Sequence, residues 1–177
     1  MRKIRNDELG RKAPDEFRKA PKRPVIVVLD NVRSLNNVGS VFRSADAFLC
    51  EAVFLCGITG TPPNREIHKT ALGAEETVSW RYFQKSADAV RELRAEGYRV
   101  IAVEQAEGGI PLDRFPFSPR EKTAFVFGHE IEGVSGEVME VVKEAVEIPQ
   151  FGSKHSINVS VCAGIVLWQH FMSDRPC

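Results

Sequence analysis

Three short segments carry side chains whose types and spacing suit ligand chemistry. Residues 148–163 read I-P-Q-F-G-S-K-H-S-I-N-V-S-V-C-A: an apolar strand end, a Gly-centred loop holding Lys154 and His155, then a Ser-x-Asn start to a helix. Such a loop can hold a small ligand largely through backbone N–H and C=O groups, with a few directed side-chain bonds fixing its orientation. Residues 36–43, N-N-V-G-S-V-F-R, place Asn37, Gly39 and Arg43 just after the first apolar run, where open parallel sheets bind ligands. Gly39 leaves space one turn before Arg43 on the same helix face, and a guanidinium there can fork a phosphate or a carboxylate. The competing reading pairs Arg43 with Asp46, a helix-surface contact worth a few tenths of a kcal/mol. Residues 125–135, F-V-F-G-H-E-I-E-G-V-S, set Gly128, His129, Glu130 and Gly133 after another apolar run. There Glu130 is placed either to orient a polar partner or to cap a helix starting near Ser135.

Several other chemistries are disfavoured. G-V-S-G-E lacks the final Gly of a G-x-S-x-G nucleophile elbow at Ser135. Neither a G-x-G-x-x-G nor a P-loop pattern occurs. His68, His129, His155 and His170 show no spacing that gathers ligands, so no metal is expected; His155, inside the 152–156 loop, is the histidine most open to a substrate contact. Cys50, Cys56, Cys162 and Cys177 form no C-x-x-C pair and read as reduced fillers.

The elements that must position these residues follow from hydrophobic periodicity. Six strands are expected, at 25–29, 52–55, 77–82, 100–103, 123–127 and 145–148, alternating with helical patterns. Val38, Val41, Phe42, Ala45, Phe48 and Leu49 trace one helix face, with Asn36 or Asn37 placed to cap it. Ser86 can cap a second helix ending near Gly97. Residues 57–64 and 108–120 read as loops, the latter because Pro111, Pro116 and Pro119 disfavour regular structure. The last helix, from Asn158 to about Met172, has hardly a polar face and is expected to be buried all round, with a second copy of the chain as its simplest cover. The fold class is thus α/β, a mostly parallel six-stranded sheet with helices on both faces.

At 177 residues with 43% apolar content and no long apolar run, the chain fits one cytoplasmic globular domain with no membrane span. The first residues are basic but have no apolar stretch behind them, unlike a secretory signal. Net charge is zero, yet unevenly spread: residues 1–23 hold nine Lys or Arg against four acids. That basic arm, ahead of a domain at 24–177, is suited to phosphates, since each Lys or Arg contact releases counterions. Its candidate RNA contacts are Arg2, Lys3, Arg5, Arg11, Lys12, Arg18 and Lys19, with Arg43 beyond it; a solvated leader is the alternative.

Taken in order, the three segments resemble the motif set of the SpoU (TrmH-like) branch of the SPOUT RNA methyltransferases. N-x-G-x-x-x-R matches at Asn37, Gly39 and Arg43, G-x-E-x-x-G at Gly128, Glu130 and Gly133, and I-P-x-x-G-x-x-x-S-x-N-V-S at residues 148–160. K-T-A-L-G-A at 69–74 resembles the segment such enzymes carry between the first two motifs. The resemblance implies a trefoil knot in the carboxyl-terminal third, with S-adenosylmethionine held there by Phe127, Gly128, His129, Glu130, Ile148, Gln150, Gly152, Ser156, Ile157 and Asn158. It also implies a homodimer whose active site draws on both chains, and methyl transfer to a ribose 2′-hydroxyl of tRNA or rRNA. In that reaction Arg43 engages the target phosphate and hydroxyl, Asn37 positions the hydroxyl, Glu130 orients its neighbours, and Ser156 and Asn158 shape the pocket. A knotted RNA-binding protein without turnover is the alternative. Two positions depart from the pattern: Leu35 stands where Pro is usual, and Gln150 where Met is usual.

Overall fold

A computed structural model describes residues 1–118 and 121–173; Pro119 and Cys177, named above, and the end of the expected loop 108–120 lie outside the described residues. The strands are β1 (Arg23–Asp30), β2 (Cys50–Cys56), β3 (Ser79–Phe83), β4 (Arg99–Val103), β5 (Ile110–Pro111), β6 (Thr123–Phe127) and β7 (Glu144–Glu147). All pair in parallel, in the order β3-β2-β1-β6-β4-β7-β5. The sheet therefore has seven strands rather than six. The extra one lies inside the proline-bearing stretch expected to be irregular, where Ile110 and Pro111 register against Val146 and Glu147. Its edge position makes the missing Pro N–H harmless to the ladder.

Side chains alternate across the strands, so the sheet feeds two cores. Val25, Val27 and Leu29 of β1 with Phe125 and Phe127 of β6 face α2 (Leu35–Ala47), α3 (Arg65–Ala71), α4 (Ala74–Thr77) and α7 (Val159–Ser173). Ile26 and Val28 with Ala124 and Val126 face α5 (Ser86–Ala95) and α6 (Gly136–Met139). At the end of β1 the fully buried Asp30 ties down the starts of α5 and α6: it accepts bonds from Ser86 Oγ at 2.5 Å, Asn31 Nδ2 at 2.8 Å and the Ser135 N–H at 2.7 Å.

Several expected boundaries move for identifiable reasons. Ser34, not Asn36 or Asn37, caps α2, its Oγ accepting from the Asn37 N–H at 3.3 Å. Leu35 then takes the first helical position, which Pro favours but does not require. Ser86 lies inside α5 rather than at its cap, its hydroxyl drawn inward by Asp30. Thr77 ends α4 instead of opening β3, because its hydroxyl bonds to Asp46 Oδ2 and the Ala74 carbonyl.

The arm and the last helix each take a more definite form than their sequences implied. The basic arm is not a wholly separate leader: α1 (Pro14–Lys19) inserts Phe17, 6% exposed, into the core beside Ala74 and Val78, and Arg18 donates to the Glu76 carbonyl. Within one chain, the last helix packs one side and leaves the side expected to meet a second copy uncovered. Ala163, Val166 and Leu167 face inward, while Val161, Ile165, Trp168 and Met172 form an outward apolar stripe with Trp168 still 49% exposed.

The space at Gly39 serves helix packing. A Cβ built there would lie 2.1 Å from Thr70 Oγ1 and 2.2 Å from the Ile67 carbonyl oxygen, both on α3. Gly39→Ala is accordingly expected to force α2 and α3 apart and to destabilise the protein by about 2 kcal/mol or more, read as a lower urea midpoint. An unchanged midpoint would contradict so close a contact.

Candidate functional site

Parallel strands leave their carboxyl ends open to loops, and here the ends of β4, β6 and β7 frame a cavity of about 380 Å³. Its walls include Val103, Phe127 and Val146 from the strand ends. Nine of the ten residues expected to hold a cofactor line it: Phe127, Gly128, His129, Glu130, Ile148, Gln150, Ser156, Ile157 and Asn158. Gly152 does not; it lies on the exposed stretch 151–156, with open space beside its Cα.

The loop after β6 is shaped by close backbone contact. A Cβ on Gly128 would meet the Gly133 carbonyl carbon at 2.0 Å, and Gly133 itself has φ +70°. The His129 and Gly133 N–H groups each donate to the other's carbonyl at 2.9 Å. His129 Nδ1 accepts from the Ile131 and Glu132 N–H groups, which leaves Nε2 to carry the proton of the neutral ring.

Glu130 reaches away from that loop to the start of α2. Its carboxylate accepts from the Arg33 N–H at 3.1 Å, the Ser34 N–H at 2.9 Å and Asn37 Nδ2 at 3.3 Å. The helix it serves is thus α2, not α6 as the capping reading had it. Partial burial pushes its pKa up, but the Ser34, Glu130 and Arg33 amides and the Asn37 side chain outweigh this and hold it below the usual carboxylate value. Asn37 Oδ1 in turn accepts from Asn158 Nδ2 at 3.1 Å, while Asn158 Oδ1 caps α7 by accepting from the Ser160 N–H and Oγ. Three segments far apart in sequence therefore meet through one chain of bonds.

Arg43 stands apart from this cluster. Six residues along an α-helix turn a side chain through about 240°, so Asn37 and Arg43 leave α2 on different faces. Arg43 is exposed, and it borders one recess with Arg11, Lys12 and Phe17 and another with Lys69, Thr70 and Gly164. Among the described residues it makes no hydrogen bond or ion pair; Asp46, its expected partner, bonds to Thr77 instead. Of the arm residues, Arg2 and Arg5 pair with Glu8 and Arg18 with Asp15, whereas Lys3, Arg11, Lys12 and Lys19 show no such contact.

Sequence reasoning missed part of the wall. Glu104 and Gln105 follow β4 into the cavity: Glu104 accepts from the Val134 and Gln105 N–H groups at 2.9 Å, and Gln105 Nε2 donates to the His155 carbonyl. Their position just beyond a parallel strand was the available signal. Cys162 also lines the cavity, but burial first, then Glu104, pushes its thiol up to about 12, so it is no thiolate at neutral pH. His68, Glu75 and Glu76 come together across the α3–α4 turn, a grouping that linear spacing hid and that leaves one buried Glu75 oxygen without a partner.

Residues 24–168 match the model of the SpoU rRNA Methylase family. The chain belongs to that family. Among similar SpoU proteins, the 23S rRNA (guanosine-2′-O-)-methyltransferase RlmB of Neisseria meningitidis is 32% identical over 81% of this chain and 56% of its own length. The tRNA (guanosine(18)-2′-O)-methyltransferase of Thermus thermophilus is 28% identical over 92% of this chain and 81% of its own. An AdoMet-bound rRNA methyltransferase from Sinorhizobium meliloti superimposes with a TM-score of 0.79 at 25% identity, covering 89% of this chain and 60% of that one. This SpoU chain thus spans about half the length of the RlmB relatives it matches. Among the described residues, no helix is long and apolar enough to cross a membrane.

The Glu130 bonds carry a pH dependence of definite sign. With its folded-state pKa depressed, the carboxylate's contribution is full above the unfolded value of about 4.3 and is lost as pH falls through the lower folded value. Glu130→Gln is expected to lower stability at neutral pH, with wild-type and variant urea midpoints converging below about pH 4. Midpoints that stayed a constant distance apart through the acid range would count against this role.

Proposed function

We propose that the chain is an S-adenosylmethionine-dependent RNA methyltransferase that transfers a methyl group to a ribose 2′-hydroxyl of tRNA or rRNA in the cytoplasm. The observation that carries this reading is the hydrogen-bonded junction of Glu130, Asn37 and Asn158 at the rim of the strand-end cavity, since it unites all three family motifs.

The cavity's chemistry fits the cofactor. Among the described residues, Glu104, Glu130, Glu132 and Glu147 line it and no Lys or Arg does, which favours a cationic ligand. Backbone groups of the loops after β6 and β7, with Gln150, Ser156 and Asn158, offer donors and acceptors to a nucleoside. When bound, S-adenosylmethionine supplies a methyl already activated on a sulfonium and leaves as the neutral thioether. The protein's remaining task is alignment of the hydroxyl and removal of its proton. A metal is not required for that. The threading of this region into a trefoil knot is part of the same proposal.

Arg43 can act only if it reaches the cavity, and the exposed α7 stripe suggests how. Val161, Ile165, Trp168 and Met172 form an exposed apolar face, with Trp168 braced against Phe48 and Phe171. We infer a homodimer in which this face meets its copy and Arg43 of one chain serves the cavity of the other. A guanidinium stays charged at neutral pH, so Arg43 stabilises the forming alkoxide and grips the adjacent phosphate rather than acting as a free base. Asn37, held by Glu130 and Asn158, positions the hydroxyl.

Calorimetry with S-adenosylmethionine is expected to show micromolar binding to wild type and to Arg43→Ala alike, with methyl transfer to RNA lost in the variant. Mixing inactive Arg43→Ala with inactive Asn158→Ala chains is expected to restore part of the activity, because mixed dimers carry one intact site. No cofactor binding would overturn the enzymatic reading; no restoration would overturn the shared site. For the arm, deletion of residues 1–12 leaves Phe17 in place and removes Lys3, Arg11 and Lys12. That deletion is expected to reduce the slope of log affinity against log salt by roughly two, measured by filter binding to total RNA, and an unaltered slope would refute a phosphate role.

A further inference from the structure

Beside the strand-end cavity lies a second recess of about 530 Å³, formed by Leu112, Arg114, Pro149, Phe151 and Gln169. The two share a wall, since Glu147 and Ile148 line both. Phe151 is 98% exposed, although it directly follows Gln150 of the cavity lining. A fully solvated phenyl ring at the edge of a ligand site is costly to leave uncovered, as the ring represents a large apolar area. Cationic groups accompany it. Lys154 stands on the same exposed stretch, and among the described residues Arg114 pairs with Asp113 alone, by an exposed contact of 4.0 Å that holds it weakly.

The proposed reaction demands a place for such a group of residues to act. A ribose 2′-hydroxyl reaches a methyl donor set among strand-end loops most readily from a single-stranded nucleotide, and an unstacked base gains from a new π partner. Resting on that reading of the function, we propose that the second recess is a nucleobase subsite. It takes one unpaired base of the RNA, stacked on the Phe151 ring, with Arg114 and Lys154 meeting the flanking phosphates and the Gln169 amide available to the base edge. A polar recess for a free metabolite would not need an exposed aromatic face. The shared Glu147–Ile148 wall explains why base and methyl donor would lie back to back.

Phe151→Ala, Phe151→Leu and Phe151→Trp test this in the full chain with total RNA from a strain lacking the protein. Base–aromatic stacking corresponds to roughly 5- to 100-fold in affinity, so Phe151→Ala and Phe151→Leu are expected to weaken filter binding by that factor while Phe151→Trp retains it. Calorimetric affinity for S-adenosylmethionine is expected to remain that of wild type in all three. If Phe151→Leu binds RNA as wild type does, the ring serves only as apolar surface and the subsite is wrong. If Phe151→Ala instead changes the sedimentation coefficient, the ring belongs to an interface between copies, and the proposal again falls. Wild type that fails to bind S-adenosylmethionine would overturn the enzymatic reading, whereas wild type that binds it beside a Phe151→Ala chain of undiminished RNA affinity would overturn the subsite alone.

Discussion

A single carboxylate holds the site together. Glu130 sits on the loop after β6, yet its oxygens are spent on the amides that open α2 and on the amide of Asn37. A helix start has N–H groups with no partner inside the helix, and a negative charge there is favoured by the helix dipole as well. One side chain thus ends the isolation of those amides, fixes where α2 leaves the sheet, and sets the side chain that reaches Asn158. Without it, α2 and α7 would keep the bond between Asn37 and Asn158, but the loop after β6 would lose its bonds to the start of α2.

That registration divides the labour of α2. Its first turn bonds to residues of the cavity through Asn37, its middle is pressed onto α3 through the absent side chain at Gly39, and its second half presents Arg43 to solvent beside α7. Helical geometry makes this separation unavoidable, since positions 37 and 43 cannot share a face. Under the proposed function, a site that uses both would be completed by a second copy of the chain. The apolar stripe on α7 lies next to Arg43's second recess through Gly164, so the surface that wants covering and the group that wants a site are neighbours.

Much of this was legible in the residues, for reasons of unequal strength. The strands at 25–29 and 123–127 were plain because buried parallel strands are apolar on both faces, and the motif residues could be placed because they follow those strands. The two-residue β5 escaped notice because so short an edge strand has no periodicity and contains a proline. Ser34 was overlooked as the cap because Asn36 and Asn37 are equally good capping types; the choice was made by Glu130, 93 positions away from Asn37. Gly39 was read as room for a ligand, whereas the occupant is a carbonyl of α3, and no local pattern distinguishes the two. Glu104 and Gln105 carried no motif at all. Composition suggested an apolar last helix, but not which of its sides would stay uncovered.

The docking of Phe17 has a consequence of scale. By anchoring the chain at α1, it turns the basic segment from Arg2 to Ala13 into a tether of fixed origin. Twelve residues span at most about 40 Å when fully extended, roughly the width of a domain this size. A 3-10 turn at Asn6–Leu9 shortens that reach, and Arg11 and Lys12 already border one recess with Arg43, so under the proposed function these cations would guide a polyanion close to this surface.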